Sequence, residues 1–517
     1  MMKATVSAAF VLAGANAIAY GLSPIQPRTQ PHNEVSANCQ QACAELSTIF
    51  GSALHYPGND SFTIWDAKQQ EVRPACRIEP STPSEVSQVL EILVHYWCYF
   101  SVKGGGHSRN PGDSNSVGGV TVDLDRMTQV DILEHGNRAR VGGGATSYQV
   151  YEALDAHNLS FVGGRVGTVG VGGFTLGGGT SPFSNKYGWA LDNVYEYEVV
   201  LANGTIVNAN ETHNRDLYFA LRGGGNNFGI VTAFTVRTFS QGPVSTTTTT
   251  YLRNQTEQVL DQVYQLFTDD ALTSDVEMGF DMYYTYVSQD DSFSLSGTQR
   301  YGKPVRNPAV FKAIDQIPRL TRSTTISNMG NLTRESEPLG TTRHLFATLT
   351  VLPSRSLLTQ AVRIFKQEAR AIRSVDGLVP NLISYAISRT AIAAMAQRGG
   401  NSLGIHGDQP LFLILISTAW SDARDDAAVN TMTENAIRRI REAAETLNVA
   451  HPFLYVNYAS AAQASEVFSS YGERMCRVLE TYNGQLIHMV SSPRGVCGVD
   501  LPNCCDVSIV RVYGADT

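Results

Sequence analysis

Apolar positions in the first half of the chain fall into short runs broken by glycine; later they form longer strand-length and helix-length stretches. Thr82-Pro83-Ser84-Glu85 combines an N-cap, a proline at the first helical position and a capping-box glutamate. Val86, Val89, Leu90, Leu93, Val94 and Trp97 follow at helical spacing, so one face of this helix is buried. Strands are predicted at 99–103, 120–124, 138–141 and 230–239. Thr146 and Gln149 open a helix through Tyr151 and Leu154, and 195–201 with 205–209 make a hairpin about Asn203-Gly204.

After Gln241-Gly242-Pro243 the pattern changes. Strands at 278–287, 293–301, 344–352 and 411–419 alternate with amphipathic helices, one marked by Val429, Met432, Ile437, Ile440, Ala444 and Leu447. The threonine run 246–250 reads as an exposed strand, and 451–483 returns to short aromatic motifs that rejoin the first lobe. No internal repeat is found.

At 517 residues, the chain is long enough for two to four lobes of roughly 150 residues each. Its 43% hydrophobic and 17% charged residues suffice for sizeable cores and exclude wholesale disorder. A net charge of -8 gives no general attraction to nucleic acid or anionic membrane. Lys3, the apolar stretch 4–15 and the small residues Ala15, Ala17 and Ala19 read as a signal peptide over 1–19, implying secretion or an endomembrane lumen. Six glycosylation sequons, at Asn59, Asn158, Asn203, Asn210, Asn254 and Asn331, agree with that route. No later apolar run is long enough to span a membrane. Eight cysteines stand at 39, 43, 76, 98, 476, 497, 504 and 505 without the spacing of a zinc site, so no metal is expected. Cys39 or Cys43 joined to Cys98 would pin the N-terminus to the first domain; the other reading is that all are free and buried.

Of the 45 glycines, 25 fall between Ser101 and Ile230. Tight glycine turns aim backbone N–H groups at anions. There is no Walker loop and no G-x-G-x-x-G opening a helix, so neither a P-loop nor a doubly wound dinucleotide fold is expected. Five clusters remain, at 104–106, 142–144, 163–173, 177–179 and 223–225; together they suit a long, pyrophosphate-bearing ligand. Close packing between strands would account for any one of them.

Val102-Lys103-Gly104-Gly105-Gly106-His107-Ser108 resembles the covalent-flavin loop of the berberine-bridge-enzyme-like oxidases, in the vanillyl-alcohol-oxidase superfamily with PCMH-type FAD binding. Residues 163–173, Leu176-Gly177-Gly178-Gly179, Lys186-Tyr187-Gly188, Asp192-Asn193-Val194 and 222–231 resemble later landmarks of that family, in order. Tyr455-Val456-Asn457-Tyr458 and Ser470-Tyr471-Gly472 resemble its C-terminal segment. The resemblance implies an α+β chain: a two-subdomain PCMH-type FAD-binding domain and a separate antiparallel-sheet substrate domain covered by helices. The boundaries expected are 20–243 (core about 68–240), 244–450, and a returning segment 451–517. It implies FAD held by Lys103, Gly104, Gly105, Gly106, His107, Ser108, Gly167, Thr168, Gly170, Gly172, Gly173, Gly177, Gly178, Gly229, Ile230, Val231 and Asn457. His107 would carry the 8α-linkage; the plainer role is a hydrogen bond to flavin phosphate or backbone.

Departures from the family pattern refine the expectation. Val166 stands where doubly linked relatives carry cysteine, so a single covalent link is expected. Phe174, Thr180 and Leu413 replace a histidine, a tyrosine and a carboxylate base found in some members, leaving Tyr455 and Tyr458 as candidate catalytic bases. The tail after Asn483 is atypical. The expected activity is a flavin oxidase acting on a small alcohol, amine or activated C–H donor of secondary metabolism, with O2 as acceptor and H2O2 as product. The partners are that small molecule and O2, with no nucleic acid. The alternatives are an oligosaccharide oxidase of the same family, or a silent ligand- or glycan-binding relative.

Overall fold

Helix Pro83–His95 starts at its sequence signal: Thr82 Oγ1 accepts from Glu85 N at 3.1 Å. The Glu85 carboxylate reaches one residue beyond the cap, accepting from Ser81 N and Oγ at 2.6 and 2.9 Å. These bonds, the Ser81 N–H first, hold the Glu85 carboxyl below its usual range. The structure, a computed structural model, describes residues 35–58, 61–334, 339–475 and 477. The expected signal peptide, the Asn59 sequon, four of the cysteines (476, 497, 504, 505) and the tail after Asn483 lie outside the described residues.

That helix is a crossover. It joins Cys76–Ile78 to Phe100–Lys103 in a small sheet ordered Leu54–His55, Cys76–Ile78, Val120–Asp123, Phe100–Lys103, whose last three strands run parallel. Parallel strands of one sheet need such a connection, because a tight turn reverses direction; Val120–Asp123 later fills the place between these two. Disulfides Cys39–Cys98 and Cys43–Cys76 tie helix Ala37–Phe50 to this sheet. Cys39 thus takes Cys98, one of the two pairings expected; Cys43–Cys76 was not anticipated.

A middle sheet follows, ordered Val130–Leu133, Arg138–Gly142, Ile230–Ser240, Val194–Val200, Ile206–Asn210, with Leu159–Phe161 added at the far end of Ile230–Ser240. The hairpin about Asn203-Gly204 is present, as is the capping box of Thr146 and Gln149 at the head of helix Ser147–Asp155.

The large sheet is antiparallel and eight-stranded: Arg319–Ser327, Val244–Tyr251, Ser292–Tyr301, Met278–Val287, Val379–Ile387, Leu411–Trp420, Arg343–Val351, Ala450–His451. Helices Thr256–Thr268, Arg355–Ala371 and Asp426–Thr446 cover one face. Alternation along Leu411–Trp420 sends Phe412, Ile414 and Ile416 to the helices, and Leu411 and Leu413 into the core shared with the first lobe. The threonine run corrects the sequence reading. Val244–Tyr251 is paired on both sides, and Thr247 and Thr249 are buried. Its cover, Arg319–Ser327, has no apolar alternation and so went unread. Residues 453–475 return to the first lobe, where Asn457 Nδ2 donates to Phe174 O at 3.0 Å.

Candidate functional site

The first glycine loop leaves the small sheet at Lys103. The Lys103 ammonium is buried against Asp123 and Asp125, at 3.0 and 2.8 Å, with Arg77 on the other oxygen of Asp123. Lys103 therefore anchors the loop from below. A Cβ on Gly105 would run into the backbone of Gly170, so the first and second loops touch main chain to main chain. Gly104 and Gly172 both crowd Gly143 O, Gly167 crowds Thr333 O, and Gly106 packs on Ile64. Gly177 and Gly178 receive Asn457 and the rings of Trp189 and Tyr455; Gly229 crowds Val200 and leads into Ile230 and Val231, both buried. Ser108 Oγ donates to Asp113 Oδ2 at 2.6 Å.

Gly173 is the exception. It is exposed, and a Cβ there would meet no atom within 4 Å. His107 Nε2 lies 2.7 Å from Thr168 Oγ1 of the second loop, while its Nδ1 has no hydrogen-bond partner among the described residues. Desolvation, reinforced by Arg109 and His344, pushes the imidazole down to about 3, so it is neutral at physiological pH. A cradle of touching glycine loops, an open glycine and a neutral imidazole with a spare nitrogen fit a flavin nucleotide.

Sequence reasoning missed the ring beneath His107. Trp65 stacks on His107 with centroids 4.3 Å apart and on its other face against His344 at 3.9 Å. Asp66, the N-cap of helix Ala67–Gln70, faces His344 Nδ1 at 3.2 Å. The N-cap signal was legible; the stack joins residues almost 280 positions apart and was not.

On the large-sheet side, Arg165 donates to Asp281 Oδ1 (3.2 Å), Thr180 Oγ1 (3.1 Å) and Tyr458 Oη (3.0 Å), and lies over the Tyr385 ring. Arg300 pairs with the second oxygen of Asp281. Burial opposes the charge on Asp281, yet Arg165 and Arg300 together hold its carboxyl below its usual range. Two guanidiniums thus share one buried carboxylate. Phe346 meets Tyr458 edge-on at 5.7 Å, and Arg109 lies over Phe346 while donating to Asn457 O at 2.5 Å. Beside Arg165 and Arg300 is a small pocket of mixed lining, walled by Phe183, Val244, Met329 and Leu332 and by Thr246 and Thr333.

The two candidate tyrosines separate. Tyr455 is 1% exposed, and its oxygen accepts from Gly179 N (2.9 Å) and Asn457 Nδ2 (3.0 Å). Burial pushes its phenol well up, which fits a neutral acceptor holding Asn457 and the Gly177–Gly179 turn rather than the base expected of it. Tyr458 is half-buried with Arg165 on its oxygen. Arg165 lies inside the second glycine loop, but its partner Asp281 comes from the large sheet, and only the fold joins them. Val166 is half-buried beside this loop. Among the described residues no His, Cys, Asp and Glu cluster could hold a metal, and no helix is long and apolar enough to cross a membrane.

Residues 74–210 match the profile of an FAD binding domain. Over 489 residues the chain is 32% identical to the FAD-dependent monooxygenase tpcD of Cochliobolus heterostrophus, covering 89% of this chain and 92% of that protein. It is 30% identical over 437 residues to the bifunctional solanapyrone synthase of Alternaria solani, covering 83% of each. Among solved structures, the glucooligosaccharide oxidase of Acremonium strictum, studied for its 6-S-cysteinyl, 8α-N1-histidyl FAD, shares the fold. Its TM-score is 0.67 at 21% identity, covering 86% of this chain and 97% of that one.

Proposed function

The chain belongs to the berberine-bridge-enzyme-like FAD-dependent oxidoreductases, and from that premise we propose that it oxidises a small secondary-metabolite-like alcohol, amine or activated C–H donor. O2 is the acceptor, H2O2 the product, and FAD is held by one covalent bond to His107. When bound, FAD supplies the two-electron, hydride-accepting chemistry and returns the electrons to O2. The observation that carries the reading is His107 itself: a neutral ring, anchored through Nε2 to Thr168, with Nδ1 left for a bond. Thr168 suits both ends of that process, since a hydroxyl accepts from a protonated Nε2 and donates to a bare one. Val166 has no sulfur, which supports one link rather than the two named for the Acremonium enzyme.

The residues 20–243 would bind the cofactor and 244–450 roof the donor, with 451–475 supplying the proton acceptor. Tyr458 takes the proton from the donor. It does so as the phenolate and ends as the neutral phenol: Arg165 holds the Tyr458 oxygen, and the guanidinium charge left over at Asp281 stabilises the phenolate before the proton arrives. Phe346 and Tyr385, whose rings meet Tyr458 edge-on, favour a donor with hydrocarbon or aromatic surface over a sugar chain. Two disulfides, four exposed sequon asparagines (Asn158, Asn203, Asn254, Asn331) and the leader pattern support passage through an oxidising lumen.

The test has two parts. Acid-precipitated protein should retain flavin as one adduct on the tryptic peptide bearing His107, and flavin released by acid would refute the link. Peroxide release should then be screened over phenolic and polyketide alcohols and over oligosaccharides; turnover of sugars alone would favour the oligosaccharide reading. A second reading follows from the name of the tpcD relative, a monooxygenase. It requires an oxygen atom in the product, so 18O2 labelling separates it from the oxidase.

A further inference from the structure

His107 belongs to the first lobe, yet the ring it rests on is held in place by the second. Trp65 lies between His107 and His344, with interplanar angles of 18° and 14°. His344 comes from strand Arg343–Val351 of the large sheet. The Trp65-Asp66 pair is fastened to the start of that strand at several points. Fully buried Asp66 Oδ2 accepts from His344 N at 2.8 Å and faces its Nδ1 at 3.2 Å. Lys68 Nζ donates to His344 O at 2.5 Å, Ala67 N donates to Thr342 O at 2.9 Å, and Glu71 pairs with Arg343. Apart from Thr168 on its edge, the face of His107 is set by Trp65, and Trp65 is set by the large sheet.

We propose that Trp65 and the Asp66–His344 pair are positioning residues for cofactor attachment, so that the bond to His107 forms efficiently only after the large sheet has docked on the flavin loops. The inference rests on the reading that His107 carries the flavin. Bond formation at a ring nitrogen demands an aligned lone pair, and an imidazole free to swing about two torsions spends little time aligned. In balance, attachment removes one hydrogen from the 8-methyl group and one from the imidazole. The C–N bond forms as the C–H and N–H bonds break, and O2 accepts both hydrogens with two electrons as H2O2.

The experiment uses full-length protein made in a riboflavin-starved host, incubated with FAD in air. Total bound FAD, the acid-stable fraction over time, and the melting temperature are followed. Trp65→Phe, which keeps a ring, should attach flavin within about threefold of the wild-type rate, whereas Trp65→Leu should be slower by about tenfold or more with FAD still bound. Asp66→Asn and His344→Leu should slow attachment in the same sense, and His344→Phe should restore part of it by refilling the stack. Attachment to Trp65→Leu at the wild-type rate would overturn the proposal. So would a loss of attachment that merely tracks lost FAD binding and a lowered melting temperature in every variant, because the stack would then be packing alone. Wild-type protein with no acid-stable flavin would strike the underlying reading before any variant is compared.

Discussion

At the scale of single residues, chemistry divides between side chains that sit within one motif. Tyr455 and Tyr458 are three positions apart, and their rings touch edge to face at 4.8 Å, yet one is sealed and the other faces Arg165. Tyr458→Phe should lower kcat by about 100-fold or more with FAD content unchanged. Tyr455→Phe should instead cost about 1–3 kcal/mol of stability, through the lost partner of Gly179 and Asn457, with a small effect on kcat. Thermal melts beside steady-state kinetics on both variants check the split. His107 offers a pH test. Its imidazole titrates near 3 in the folded chain against 6.5 ordinarily, so below 6.5 the unfolded chain binds a proton that the folded chain refuses. Cofactor-free protein should lose stability as pH falls from 6.5 toward 3, and His107→Gln should remove part of that slope in melting experiments. The motif residues were legible because their types announce themselves. Arg165, Asp281, Trp65 and His344 were not, because each acquires its role from a partner that is remote in sequence.

At the scale of elements, caps and turns read true. Thr82, Thr146 and Asn203-Gly204 act locally, and local hydrogen bonding fixes what they start or end. Polar strands read badly. The run 246–250 looked exposed because threonine is polar, but its β-branch packs well inside a sheet, and Thr247 shares a hydrogen bond with Thr324 at 2.8 Å. The contact of the two glycine loops makes a severe demand on one position. Gly105→Ala would force a methyl group into the backbone of Gly170, and neither main chain can yield as a side chain would. FAD occupancy should collapse and the protein lose about 2–3 kcal/mol or more, measured by flavin absorbance and chemical denaturation. The disulfide pair is milder. Cys43 and Cys76 close a separation of 33 residues, and replacing both with serine should cost about 2–4 kcal/mol in denaturant melts without touching the flavin loops.

For the molecule as a whole, the sequence foretold a glycine-rich lobe and an antiparallel one, since the change of pattern at Gly242-Pro243 is abrupt; it could not foretell how they clasp. The residues fastening Trp65 and Asp66 to the large sheet lie on elements whose own patterns make no reference to each other. Export supplies the prediction at this scale: protein from a eukaryotic secretory host should lack the leader and carry glycan on several of Asn158, Asn203, Asn254 and Asn331. Intact mass before and after deglycosylation checks it, and an unglycosylated chain retaining Met1 would refute it. The placing of the disulfides also orders events during synthesis. Both bonds and every strand of the small sheet lie before Leu124, so this unit can close and be oxidised while most of the chain is still on the ribosome. His344 is translated more than two hundred residues after His107. A truncated nascent chain would therefore hold a crosslinked seat for the first flavin loop, with Trp65 already made but neither His344 to hold it nor Thr168 to meet the histidine.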